Sequence, residues 1–83
     1  MYIMSVSVKT GKDKSVFQKE IALSFVPPVH MTLYLHVFHY SVSCRVEFAA
    51  WHEKENNFTI HAKAAKCSQE FFEKDKSWHL LVG

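Results

Sequence analysis

The chain has 83 residues, which suits one small domain, and we predict a single domain over residues 1–83. Hydrophobic residues make up 48% and charged residues 22%, which excludes intrinsic disorder; with 2 glycines and 2 prolines, a glycine-rich phosphate loop is also excluded. The net charge of +2 is mild, and Arg45 is the single arginine, whereas nucleic-acid-binding proteins usually have a stronger positive excess.

The beginning of the chain lacks the basic segment and long apolar stretch of a signal peptide. The apolar residues 21–29 are too few to span a bilayer, and Pro27 and Pro28 interrupt them. These features predict a cytoplasmic protein without a membrane partner.

Alternation of apolar and polar residues predicts a β-hairpin at the start of the chain. The first apolar face consists of Tyr2, Met4, Val6 and Val8. A polar turn around Gly11 follows, and residues 17–25 alternate again, although Lys19 interrupts their apolar face and leaves the register of the hairpin open. Because the first strand carries no charge before Lys9, it is a candidate edge strand.

A long run of β-forming residues extends from Val29 to Trp51, after a corner at Pro27 and Pro28. Fully extended at about 3.3 Å per residue, this run would be much longer than a compact domain of this size, so it must bend or fold back. Its apolar residues occupy odd positions in the first part and even positions in the second. We therefore predict a β-bulge or a sharp bend within His39–Ser41.

A polar turn at residues 53–57 separates this run from a further strand, residues 58–64, and predicts a second hairpin. The predicted pairs across a five-residue loop are Ala50 with Ile60, Phe48 with Ala62, Val46 with Ala64, and Glu47 with Lys63. Facing residues in this register match in character, and the last pair joins opposite charges.

Residues 62–74 also contain strong helix formers, so they suit either a strand or a helix. We favour a strand to about Ala64, followed by a short helix or turn, for which Ser68 is the candidate N-cap. Trp78, Leu80 and Val82 then alternate as a final strand.

The predicted fold is mainly β. It is a small antiparallel sandwich or partly open barrel of five or six strands, with at most one short helix near residues 66–75.

Sequence patterns for catalysis or metal binding are missing from this chain. There is no nucleophile elbow, and Cys44 and Cys67 match no zinc or redox spacing, so we expect free thiols. His36 and His39 would point to opposite faces of one strand, which does not suit a zinc site. We therefore expect no enzyme activity, no cofactor and no metal site.

The even positions of the third predicted strand form an aromatic and histidine-rich face. The candidate binding residues are His30, Tyr34, His36, Phe38 and Tyr40. Clustered exposed aromatic residues are typical of binding surfaces, although a second sheet or residues 65–75 would bury this face if they covered it. We predict a small non-catalytic protein-interaction module, of the inhibitor or adaptor type. It would bind another protein, or a second copy as a homodimer, through this face or an edge strand.

An OB-like protein that binds single-stranded nucleic acid is the alternative, because such proteins combine aromatic residues on a sheet with basic side chains. The lysines in question are Lys9, Lys12, Lys14 and Lys19 around the first turn, and Lys63, Lys66, Lys74 and Lys76 near the end. Acidic residues are interspersed among them, which is also typical of a solvated surface of mixed charge.

Overall fold

A computed structural model describes residues 2–83, which form six strands and one short helix. The elements are β1 (Tyr2–Thr10), β2 (Val16–Leu23), β3 (Thr32–Val37), β4 (Tyr40–His52), β5 (Asn57–Ala64), α1 (Gln69–Glu73) and β6 (His79–Val82). The strands build one sheet in the order β3-β4-β5-β1-β2-β6, which curls into a half-barrel. The predicted mainly β fold, a partly open barrel with one short helix, is confirmed. The sheet is mixed rather than wholly antiparallel, because β1 and β5 pair in parallel.

Strands β1 and β2 form the predicted hairpin, with Met4 opposite Ile21 and Val8 opposite Phe17. The side chain of Tyr2, which was predicted on the same face, lies outside the described part of the chain. The prediction that β1 is an edge strand is wrong, because β5 pairs with it in parallel on its other side. The absence of charge before Lys9 in β1 reflects its central position, where even the outward Ser5 and Ser7 are buried.

Lys19 lies on the inner face of β2, opposite Val6. Its ammonium group donates a hydrogen bond to the carbonyl oxygen of His36 in β3 at 3.0 Å and lies 4.7 Å from the ring centre of Trp78. The Trp78 indole donates to the same carbonyl at 3.1 Å. These side chains connect β2 and the segment before β6 to β3 across the open side of the half-barrel, where no backbone ladder forms among residues 2–83.

The run from Val29 to Trp51 folds back as predicted. Of the two predicted alternatives, the sharp bend is present and the bulge is not, and the bend is a turn formed by Phe38 and His39, which begins one residue before the predicted His39–Ser41. Phe38 has a φ of 58°, and Val37 pairs with Tyr40 across the turn. Odd-numbered residues of β3 therefore pair with even-numbered residues of β4, and paired residues share a face. The turn itself thus moves the apolar residues from odd to even positions.

The hairpin of β4 and β5 exists, but its predicted register is wrong. His52 pairs with Asn57, so the loop has four residues rather than five, and Phe48 pairs with His61. A bulge at Glu47 then shifts the register once more, and Val46 pairs with Ala62. Arg45, and not Glu47, therefore lies opposite Lys63.

Beyond Ala64 the chain leaves the sheet and enters α1. The Ser68 hydroxyl accepts a hydrogen bond from the Phe71 amide at 3.4 Å, so the predicted N-cap is confirmed. Phe72 is buried and packs on Phe17 and Trp78, with ring centres 5.1 Å apart in each case. The core therefore fills the concave side of the sheet, and α1 covers it. Within residues 2–83, no helix has the length and hydrophobicity needed to cross a membrane.

Candidate functional site

The predicted binding residues are exposed, but the fold does not bring them together on one surface. Tyr34, with 73% of its surface exposed, shares the outer face of β3 with His36. Tyr40 pairs with the buried Val37, and cross-strand partners share one face of a sheet, so Tyr40 lies on the inner side, opposite to Tyr34. Its ring packs on that of Phe71, with ring centres 5.7 Å apart. His30 precedes β3 at its far end, and its Nδ1 lies 2.9 Å from the Arg45 guanidinium.

Phe38 belongs to the β3–β4 turn, and its backbone amide donates to the Asp75 carboxylate at 2.6 Å. The free edge of β3 is also bonded near its C-terminal end, because the His36 carbonyl accepts hydrogen bonds from the side chains of Lys19 and Trp78. Side chains from other elements therefore cover this half of the edge, which leaves Tyr34 as its exposed part.

Strand β6 lies at the other edge of the sheet, and all of its residues are exposed. Its apolar residues Leu80, Leu81 and Val82 are 43%, 54% and 58% exposed. It contains no lysine, arginine, aspartate or glutamate to discourage pairing with another strand. The sequence predicted this strand but not its place at an edge, because strand order depends on non-local pairing.

A basic groove of about 670 Å³ lies between the first half of β4 and the loop Ala65–Ser68. Its lining residues are Lys12, Thr32, Tyr40, Ser41, Val42, Ser43, Arg45, Lys63, Ala65, Lys66, Cys67, Ser68 and Phe71. The described residues that line it include four cations and no carboxylate. The fold thus brings together three of the lysines singled out in the sequence, Lys12, Lys63 and Lys66, and adds Arg45.

The groove exists because β5 ends before β4 does. The pairing of these strands stops at Arg45 and Lys63, so the first residues of β4 have no β5 partner. The backbone of Val46 is bonded on the opposite, β3 side, to His30 and Met31, each at 2.8 Å. Because peptide groups alternate in direction along a strand, those of Ser41 and Ser43 point into the groove.

One wall of the groove is fixed by contacts between the β1–β2 turn and the loop after β5. The Gly11 amide donates to the Ala64 carbonyl at 2.9 Å, and the Lys12 amide donates to the Cys67 carbonyl at 3.1 Å. A Cβ atom on Gly11 would overlap the backbone of Ala65, so the close approach requires glycine. These contacts hold Lys12 beside the loop that carries Lys66.

Like charges face each other along one side of the groove. Lys63 is the direct cross-strand partner of Arg45 on β4 and of Lys9 on β1. Like charges at such positions are destabilising by a few tenths of a kcal/mol. Glu47 lies in an adjoining depression with Arg45 and Lys63, and it marks the end of the basic surface.

Both cysteines are free thiols, as predicted. Burial raises the pKa of Cys44 to about 12, and it also raises the pKa of Cys67, the cysteine that lines the groove. Both thiols are therefore held in the protonated form near neutral pH, which suits structural rather than nucleophilic cysteines. Among residues 2–83, no three histidine, cysteine, aspartate or glutamate side chains lie close enough to hold a metal ion.

The chain matches no family model, no curated protein and no solved structure. A proposal for its function therefore depends on the geometry of its own residues.

Proposed function

We propose that the chain is a small non-catalytic protein-interaction module of the adaptor or inhibitor type, and that strand β6 is its main contact. The exposed edge of β6, in which three of the four residues are apolar and the fourth is His79, carries this proposal. A partner adds an extended segment to this edge, and a second copy of the chain is the partner that we commit to for a test.

An edge strand has unpaired N–H and C=O groups, which a second strand satisfies through backbone hydrogen bonds. Two copies of β6 in antiparallel pairing would form a symmetric dimer with one continuous sheet. Each backbone hydrogen bond contributes about 0.5–1.5 kcal/mol, and burial of each half-exposed apolar side chain adds roughly 1 kcal/mol. After the cost of association, we expect a dimer that depends on concentration.

Strand β3 is the weaker candidate, because side chains from other elements already occupy half of its edge. Tyr34 and His36 form its exposed face and are a second contact in this proposal. We also propose a cytoplasmic location, since free thiols are usual in a reducing compartment.

Sedimentation velocity over a range of concentrations tests the proposal. We expect a monomer–dimer equilibrium in the wild type and a monomer in Leu81→Lys, because the added charge would lie at the interface. Ile3→Lys is the matched control, since Ile3 is also exposed but lies on a central strand. It should leave the dimer intact.

A wild type that stays monomeric at the highest attainable concentration would overturn self-association through β6. A dimer that survives Leu81→Lys but is lost in Tyr34→Ala would instead move the contact to the face of β3.

Nucleic-acid binding, the alternative indicated by the sequence, is a proposal about a different surface. It concerns the basic groove and involves none of the β6 residues.

A further inference from the structure

We propose that the basic groove beside β4 binds single-stranded nucleic acid, with its cations on the phosphates and Tyr40 stacked on a base. This is a second binding site, independent of β6, and it goes beyond protein binding.

Charge complementarity is the first argument for an anionic ligand. Lys12, Arg45, Lys63 and Lys66 line the groove, and none of the described lining residues is acidic. Lys63 lies between the cross-strand cations Arg45 and Lys9, an arrangement that costs stability in the free protein. Bound phosphates would relieve this repulsion, so the arrangement favours the ligand-bound state.

The backbone of β4 supplies neutral donors to the same groove. The N–H groups of Ser41 and Ser43 point into it, and the hydroxyl groups of both serines and of Thr32 belong to strands that line it. Backbone amides and hydroxyls commonly bind phosphate oxygens beside lysine and arginine. The groove volume of about 670 Å³ lies within the usual range of ligand sites, about 300–1,000 Å³.

Tyr40 distinguishes nucleic acid from other anions. Its ring packs on Phe71 at 5.7 Å on one side, yet 58% of the residue remains exposed. An exposed aromatic ring beside cations is the combination by which proteins bind single strands, with bases on rings and phosphates on basic groups. An acidic peptide would satisfy the cations but leave this ring without a partner.

The probe is a fluorescein-labelled single-stranded oligothymidylate of about ten nucleotides, a length that spans one such site. Fluorescence anisotropy measures its affinity for the full chain at several salt concentrations. If four cations each neutralise a phosphate, log K should fall with log salt at a slope of about −3, since single strands give about −0.7 per contact.

Matched variants assign the effect to the groove. Lys63→Gln should weaken binding and flatten the salt slope by about 0.7. The melting temperature of this variant should equal or exceed that of the wild type, because the repulsion of Lys63 by Arg45 and Lys9 is removed. Lys54→Gln makes the same change in charge in the loop between β4 and β5, at the other end of β4, and should leave affinity unchanged.

Tyr40→Leu should lower affinity by about tenfold or more through the loss of stacking, while Trp51→Leu, which also removes an exposed aromatic ring but at the other end of β4, should not. All of the substituted side chains are exposed, so the variants are expected to fold, and circular dichroism checks this.

Three results would overturn the proposal. The first is an absence of binding or a flat dependence on salt, and the second is an equal loss of affinity in Lys54→Gln and Lys63→Gln. The third is displacement of the oligonucleotide by polyglutamate at equal charge concentration, which would show a general polyanion site without base stacking.

Discussion

Gly11 is required for space and not for an unusual backbone angle. A Cβ atom at this position would overlap the carbonyl oxygen, carbonyl carbon and Cα of Ala65, which are all backbone atoms and cannot rotate away. Gly11→Ala should therefore destabilise the protein by about 1–3 kcal/mol, as overpacking of a rigid site does.

Urea unfolding measures this difference. Lys12→Ala is the control, since Lys12 is the exposed neighbour of Gly11 and should cost much less. An unchanged free energy of unfolding in Gly11→Ala would contradict the close contact between the two loops.

Lys19 shows why some residues are not predictable from local patterns. The sequence indicates that it interrupts an apolar face, and the structure does place it there, opposite Val6. Its partners are a backbone carbonyl of β3 and the ring of Trp78, both distant in sequence. Because every residue has a backbone carbonyl, the sequence does not indicate which one Lys19 binds, and this contact could not be predicted.

The β3–β4 turn is fixed to the segment before β6 by Asp75. This carboxylate accepts hydrogen bonds from the Ser77 hydroxyl at 2.6 Å, the Phe38 amide at 2.6 Å and the Ser77 amide at 2.9 Å. The bonds, first of all the one from the Ser77 hydroxyl, lower the pKa of Asp75 to about 2 from its ordinary value of 3.8.

Because the pKa of Asp75 is lower in the folded state, its charged form stabilises the fold above pH 3.8, and this contribution is lost as the pH falls through about 2. Asp75→Asn should therefore lower stability at neutral pH by roughly 1 kcal/mol, the value of a partly exposed charge-assisted hydrogen bond. The difference from the wild type should shrink towards pH 2.

Urea titrations at several pH values test this expectation. Glu73→Gln, which removes an exposed carboxylate at the end of α1, is the control and should have little effect at neutral pH. A deficit in Asp75→Asn that stays constant down to pH 2 would show that the carboxylate charge is not responsible.

The second hairpin shows how far alternation specifies a strand pair. The pattern predicts both strands and the polar turn, but the turn is one residue shorter than predicted, because His52 pairs with Asn57. Phe48 therefore lies opposite His61, on which it stacks at 4.3 Å, and a bulge at Glu47 then shifts the register again and places Arg45 opposite Lys63. The groove depends on this register, so it could not be predicted from sequence.

At the scale of the whole molecule, local patterns predict the elements but not their order. Alternation, turns and Ser68 predict five or six strands and at most one short helix, and the structure has six strands and one helix capped by Ser68. The parallel pairing of β1 with β5 does not, because it joins segments that are far apart in the chain. That pairing makes β1 central and leaves β6 as an edge, so both candidate binding sites follow from non-local contacts.

A domain of this size has a small margin of stability, roughly 4–12 kcal/mol. The half-barrel has one short helix to cover its concave side, and Phe72 is the residue of α1 that is buried there. It stacks on Phe17 and meets the Trp78 ring edge-on. Phe72→Ala should therefore cost about 3–5 kcal/mol, a large part of the total.

Urea unfolding and near-ultraviolet circular dichroism measure the loss of stability and of aromatic packing. Phe48→Ala is the matched control, because Phe48 is half-exposed on the outer face and should cost about 1 kcal/mol. If α1 is needed to close the half-barrel, Phe72→Ala will also expose the amides of the flanking strands to hydrogen exchange. Equal effects of the two substitutions would show instead that the curled sheet is stable without its helix.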